Sequence, residues 1–318
     1  MSILIRMGVR KTRRLEHTGR RKTRRNQSGR KVPKRIPMPG PNQCHPHIGS
    51  AGGALKGGCF PADVLNKAAK TLGLPTTGGG EKEKETLVKQ LANHLGVKET
   101  DQRSLLKSLP LPEAEKEELS RKWLRPEMPA SWKEDPDMWL DSNNIRDVMK
   151  QYEEARPDFK FLGPYPIDFA APDPYEKGSE ENGKCLIGEM CSLNLDKEQL
   201  KGKNHIGIIY NLDPHDKGGS HWVANYINVP KNECYYFDSY GMKPPKQINK
   251  FMQWLGIQEP NIKLGWNGRR FQKMNTECGM YCMYFLDRML AGEPYLKFCR
   301  RAPPDRFMLD LRDWMFST

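Results

Sequence analysis

The stretch HWVANYINVPKNECYYFDSYG, residues 221–241, reads as two β-type runs, HWVANYINV (221–229) and ECYYFDSY (233–240), with a turn between them. β-Branched and aromatic residues fill both runs, and Pro230, Lys231 and Asn232 interrupt them. Two more runs of the same texture lie outside the pair, HIGIIYN (205–211) and IKLGW (262–266), and the change to this texture begins at Phe159. Helical patterns flank the strands. WLDSNNIRDVMKQYEEA (139–155) has Asp141 or Ser142 to cap it and Ile145, Val148, Met149 and Tyr152 on one face. CGMYCMYFLDRMLAG (278–292) and DRFMLDLRDWMF (305–316) follow the last strand. Consecutive strands with helices on either side in sequence predict an α+β domain.

Upstream of that domain the texture is different. Residues 60–126 carry helical signals: Pro61 suits a first turn ahead of Val64, Leu65, Ala68 and Leu72. A second stripe of Leu87, Val88, Leu91 and Leu95 ends at Gly96. Leu105 and Leu106 belong to a third helix, and EAEKEELSRKWL forms a fourth. The expected organisation is a basic tail over 1–40, a Pro/Gly-rich linker over 41–58, a small helical arm over 59–130 and the α+β domain over 131–318.

The formal charge of +13 belongs to the tail, where residues 1–40 hold 14 Lys and Arg against one acid, Glu16. Beyond it 38 basic and 38 acidic residues balance. Almost no apolar residues interrupt the cluster, so it is expected to stay disordered alone. Residues 6–35 could engage nucleic acid electrostatically or serve as a nuclear-import signal. No run approaches the ~18 apolar residues of a membrane span, and the opening MSILIRM is too short for a signal-peptide core, so the chain is read as neither membrane-bound nor secreted. Eight cysteines suit a reducing compartment in which thiols stay free. Cys44, His45, His47 and Cys59 match no compact zinc spacing, and no metal is expected.

Chemistry gathers in QKMNTECG, residues 272–279. A thiol becomes a nucleophile as thiolate, which a helix N-terminus and a neighbouring imidazolium both favour. Cys278 stands where a helical pattern begins, and Gly279 would leave the backbone open to an approaching substrate. Of seven histidines, His221 opens a strand and can aim its ring from a rigid element. Asp238 ends the next strand, within reach of that ring if the two pair antiparallel. The Gln272 amide and the Cys278 backbone N–H could donate to the oxyanion formed when a carbonyl is attacked.

This order of HW (221–222), FDS (237–239) and Gln272 with Glu277-Cys278-Gly279 resembles the cysteine peptidases that include adenovirus proteinase. SUMO-deconjugating proteases and the polyprotein-processing proteases of large DNA viruses belong to the same family. WLDSNNI (139–145) and DRFMLDLRDWMF resemble the helix start and the C-terminal helix of that family. The likeness covers about residues 135–318, and one viral member also has a helical arm ahead of the core. It implies a papain-like, adenain-like core with a central mixed β-sheet flanked by helices, to which this chain adds its helical unit and basic tail. It further implies Cys278 as nucleophile, His221 as base, Asp238 as orienter and Gln272 in the oxyanion hole, with Trp222 and Trp139 lining the substrate groove.

By resemblance the enzyme would cut protein substrates after glycine, at Gly-Gly-Xaa or Ala-Gly-Xaa sites, and mature viral structural precursors in the virion and host cytoplasm, with the host nucleus a further location. No cofactor is expected beyond DNA as an activating polyanion, by analogy with adenovirus proteinase. SAGGALKGG (50–58) invites self-cleavage near Gly53 or Gly58; an N-terminus still at Met1 after long incubation would count against that. Two other readings stand beside this one: a deconjugase of SUMO- or ubiquitin-like proteins, and a basic structural or nucleic-acid-binding protein on an inactive protease fold.

Overall fold

The computed structural model describes residues 43–48, 57–173, 184–196 and 200–317. The basic tail and most of the linker, including Gly53, lie outside these residues. Four helices open the described chain: α1 (Ala62–Thr71), α2 (Glu81–Leu95), α3 (Gln102–Ser108) and α4 (Glu113–Trp123). They enclose their own apolar core of Leu65, Leu87, Leu91, Leu105 and Leu119, with Gly96 in the left-handed conformation at the end of α2. After α5 (Ser142–Ala155) come β1 (Phe159–Pro166), the short α6 (Gly188–Cys191), β2 (His205–Asn211), β3 (Trp222–Asn228) and β4 (Glu233–Phe237). The chain closes with α7 (Lys246–Gln258), β5 (Lys263–Trp266), α8 (Cys278–Leu290), α9 (Tyr295–Cys299) and α10 (Asp305–Met315). No helix among the described residues is long and apolar enough to cross a membrane.

The five strands lie side by side in sequence order. β2–β3 and β3–β4 are antiparallel while β1–β2 and β4–β5 are parallel, so the sheet is mixed and the architecture α+β. Side chains alternate between its two faces. Ile206, Ile208, Tyr210, Val223 and Ile227 join one apolar cluster with α7, whereas Trp222, Ala224, Tyr226 and Phe237 join the other with α5, α8 and α10. α8 is buried nearly all round, from Cys278 through Asp287, which its run of Met, Tyr, Phe and Leu permits. It comes so close to the sheet that a Cβ on Gly207 would stand 3.0 Å from Leu286 Cδ1 and 2.9 Å from the Phe159 ring.

Besides the short α6 and α9, two elements escaped the reading of the sequence. β1 is broken in register between Leu162 and Tyr165, where Gly163-Pro164 interrupts the β texture. α7 carries Ile248, Phe251, Met252 and Leu255 at helical spacing and so was legible, but it stands between strands.

The cysteines also depart from expectation. Cys44 is joined to Cys59 and Cys185 to Cys191, leaving Cys234, Cys278, Cys282 and Cys299 as thiols. The first bridge sits in the small apolar core of the arm, where a covalent staple supplements limited burial. Among the described residues no group of three or more His, Cys, Asp and Glu side chains is arranged to hold a metal ion.

The arm is joined to the rest by polar contacts. Arg103 donates through Nε to Ser317 Oγ at 2.8 Å and through Nη2 to the Arg125 carbonyl at 2.9 Å. Arg125, 1% exposed, lies over the Tyr152 ring of α5 at 5.2 Å.

Candidate active site

The register of β3 and β4 sets the first pair. Ala224 faces Phe237, which by continuation puts Val223 opposite Asp238 and leaves His221 diagonal to Asp238 on the same face. His221 Nε2 and Asp238 Oδ1 are 2.7 Å apart. The same carboxylate accepts from the backbone N–H of Tyr240 at 2.9 Å and of Met242 at 3.1 Å, so the turn after β4 fixes it. Asn267 holds that turn from behind. Its amide accepts from the Asp238 N–H at 2.8 Å and donates to the Asp238 carbonyl at 2.6 Å, continuing the β4–β5 ladder past its last rung, Tyr236↔Trp266.

With Nε2 committed to Asp238, the nitrogen left for the thiol of Cys278 is Nδ1. Burial alone would drive the proton off His221, but hydrogen bonds to Asp238 and to Cys278 outweigh it and hold the pKa up at about 9. Tyr240 covers the imidazole, its ring stacked at 4.8 Å between centroids. Cys278 is the first residue of α8, where the leading N–H groups have no partner inside the helix and the dipole favours an anion.

A sign follows for stability. The folded chain keeps on His221 a proton that an unfolded chain gives up near the ordinary value of 6.5. This contribution is whole below pH 6.5 and is lost as pH rises through about 9. The melting temperature of wild type relative to His221→Gln should therefore fall between these limits; a gap constant with pH would refute the protonated imidazole.

Gln272 lies beside this pair, fully buried. Ser239 donates its hydroxyl to Gln272 Oε1 at 2.6 Å. The Gln272 Nε2 group has no partner among the described residues. A buried amide donor without an acceptor costs free energy, and such a donor is suited to receive an anion. The arrangement can therefore generate a thiolate, hold an imidazolium against it, and offer donors to a developing oxyanion.

Trp222 is fixed rather than free. Its Nε1 donates to the Leu140 carbonyl at 3.0 Å, and a Cβ added to Gly279 would meet Leu140 Cβ at 3.2 Å and Trp222 Cδ1 at 3.3 Å. A side chain at Gly279 would therefore crowd the packing of α8 beneath Trp222. Trp139, half exposed, lines with Trp222 a cleft of about 410 Å³ that continues past Tyr165 and Asn211. Cys278, His221 and Gln272 do not line that cleft. Ser220 and Trp222, which flank His221 in sequence, and Leu140, which packs on Gly279, line it.

Sequence reasoning missed three supports of the site. Ser239 stood in the quoted FDS and Glu277 in the quoted ECG without a role, and Asn267 gave no signal. Glu277, 1% exposed, occupies the position before the first turn of α8 and pairs with Arg312 of α10. Arg312 also donates to the Met138 carbonyl at 2.8 Å and lies over the Trp132 ring at 4.4 Å. Burial holds the Glu277 carboxyl above the usual carboxylate range despite this partner.

Residues 176–308 match the family described as the Ulp1 protease family, C-terminal catalytic domain. A protein of Acanthamoeba polyphaga mimivirus named as a thiol protease is 34% identical over 162 residues, 49% of this chain and 49% of that protein. A cysteine protease of African swine fever virus is 27% identical over 150 residues, 45% of this chain and 55% of that protein. The chain spans about half the length of the curated relatives it matches. The crystal structure of the African swine fever virus protease superposes on 87% of this chain and 96% of its own, with a TM-score of 0.54 at 19% identity, so the fold is shared.

Proposed function

We infer that this chain, whose residues 176–308 match the Ulp1 catalytic-domain family, is a thiol endopeptidase that cuts after glycine to process viral structural precursors. Cys278 is the nucleophile, and His221 takes its proton and returns it to the leaving amine. Asp238 holds the ring with Nε2 occupied, and Gln272 Nε2 with the Cys278 N–H receives the oxyanion. The observation that carries this reading is the buried Gln272 amide, oriented by Ser239 and left with unfilled donors beside the His221–Asp238 pair. Glycine selectivity is supported by the site's narrowness: Cys278 is only 3% exposed and Trp222 is locked against Leu140. Peptide backbone without a Cβ passes such a wall at least cost. Processing in the virion and host cytoplasm agrees with viral relatives of the same chemistry.

The family match itself favours a second reading, removal of a SUMO- or ubiquitin-like protein from its conjugates. One experiment separates the two. Purified chain is incubated with Gly-Gly-Ala, Ala-Gly-Ala and Ala-Ala-Ala peptides and, in parallel, with SUMO- and ubiquitin-like precursors, and products are read by mass spectrometry. Cutting after glycine in the short peptides, with Ala-Ala-Ala spared, is the expected result. Cutting of the folded precursors alone would replace processing by deconjugation, and no cutting of either would leave the inactive-fold reading.

A further inference from the structure

Beyond residue 40 the chain is formally neutral, yet three segments that meet beside the site are not. Residues 240–246 hold two basic residues, 269–276 hold three and 297–306 hold four, against a single acid, Asp305. The fold stitches them together. Gly241 packs so closely on Arg269 that a Cβ there would stand 2.7 Å from its carbonyl carbon. Arg269 donates to the Arg300 carbonyl at 2.8 Å, and Tyr240 to the Met274 carbonyl at 3.3 Å. The half-buried Asp305 accepts from the backbone N–H groups of Lys273, at 3.0 Å, and Met274, at 3.3 Å. None of Lys243, Arg269, Arg270, Lys273, Arg300 and Arg306 forms an ion pair among the described residues. Met242 and Met274, 65% and 62% exposed, stand among these cations.

This surface begins at the reacting groups. Arg270 lies over Tyr240 at 4.9 Å, Tyr240 stacks on His221, and Arg270 Nε donates to the Gln272 carbonyl at 2.7 Å. It shares no residue with the cleft of Trp139 and Trp222. A polypeptide lying across a hydrolytic site must enter on one side of the nucleophile and leave on the other, and the structure offers two chemically different sides.

We propose that the surface of Lys243, Arg270, Lys273 and Arg306 binds an acidic stretch of the substrate on the carboxyl side of the scissile bond, while the Trp139 cleft takes the glycine-bearing side. The proposal rests on the peptidase reading above. Unpaired cations attract carboxylates, and the two exposed methionines offer adaptable apolar contact to side chains between them. A nucleic acid fits less well: Tyr240, the aromatic ring at this surface, is already covered by Arg270 and His221, so it offers no face on which a base could stack.

The test uses the full chain and peptides with one Gly-Gly-Ala core. Three glutamates are placed after the core, three before it, three lysines after it, or neutral residues throughout. Glutamates after the core should raise kcat/KM about tenfold over the neutral peptide, equivalent to about 1.4 kcal/mol. The gain should shrink with added salt and vanish in Lys243→Glu/Arg306→Glu, which should cut the neutral peptide at the wild-type rate. A double variant that keeps the preference, or glutamates that act only before the core, would overturn the assignment. Binding of a fluorescent acidic peptide to Cys278→Ala gives a readout independent of turnover. Retention by that protein and loss on charge reversal, with no peptide cut, would sink the peptidase and leave the docking surface standing. Charge-reversal loss of single-stranded oligonucleotide binding, with no charge preference among peptides, would show the surface to be a nucleic-acid site and end the proposal.

Discussion

Cys278→Ala and His221→Ala should each lower cleavage of Gly-Gly-Ala peptides by roughly 10⁴-fold or more, and the double variant should be no worse than either alone. On the proposed mechanism the two groups act as one device: Cys278 is paired as thiolate with the His221 imidazolium, which is the acid that releases the amine. Gln272→Ala should behave differently, costing about 10²–10³ in kcat because one donor to the oxyanion is lost while the nucleophile survives. Steady-state kinetics gives the rates, and alkylation at neutral pH tells the variants apart. Gln272→Ala should be labelled at Cys278 as fast as wild type, and His221→Ala should be labelled slowly. Multiplicative losses in the double variant would mean that His221 and Cys278 do not form a working pair.

Arg312→Met is the second large effect expected, and it acts through Glu277, next in sequence to Cys278. The guanidinium is 3% exposed and its partner Glu277 1% exposed, so removing the cation strands a carboxylate in the core at the foot of α8. Stranding one member of such a pair typically costs about 3–5 kcal/mol. Burial already raises the Glu277 carboxyl, and loss of Arg312 should raise it further. A carboxyl raised on folding binds its proton more tightly in the native state, so the deficit should be smaller near pH 5 than near pH 8. Urea unfolding at both pH values would measure this. Glu277→Gln/Arg312→Met should recover most of the loss; if it is as unstable as Arg312→Met, the ion pair is not the cause.

What could be read from the sequence was what depends on local pattern. Four of the five strands were legible because their apolar residues alternate or run unbroken between turn formers, and the start of α5 because Asp141 is a capping residue, a role in which the structure joins it to Asn144. His221, Asp238, Gln272 and Cys278 could be singled out because each chemistry needs a rare side chain at an element's end, and the structure brings His221 together with Asp238. What could not be read is what depends on long-range contact. Asn267 and Arg312 look like ordinary polar residues of a loop and a helix; only the folded chain shows one clamping the turn of Asp238 and the other holding the first turn of α8. The tight packing at Gly279 was not legible for the same reason, since its neighbours Trp222 and Leu140 come from distant segments.

The Cys44–Cys59 bridge turns the stretch SAGGALKGG into part of a covalent ring. A ring cut once is still one molecule. Were the chain cleaved after Gly53 or Gly58, everything before Cys44, the arginine-rich segment included, would remain attached through sulfur until a reductant arrived. The scission would be silent on a non-reducing gel and visible as two species on a reducing one. Shedding of the basic segment would then answer to the redox state of its surroundings, while the peptide bond had been broken beforehand.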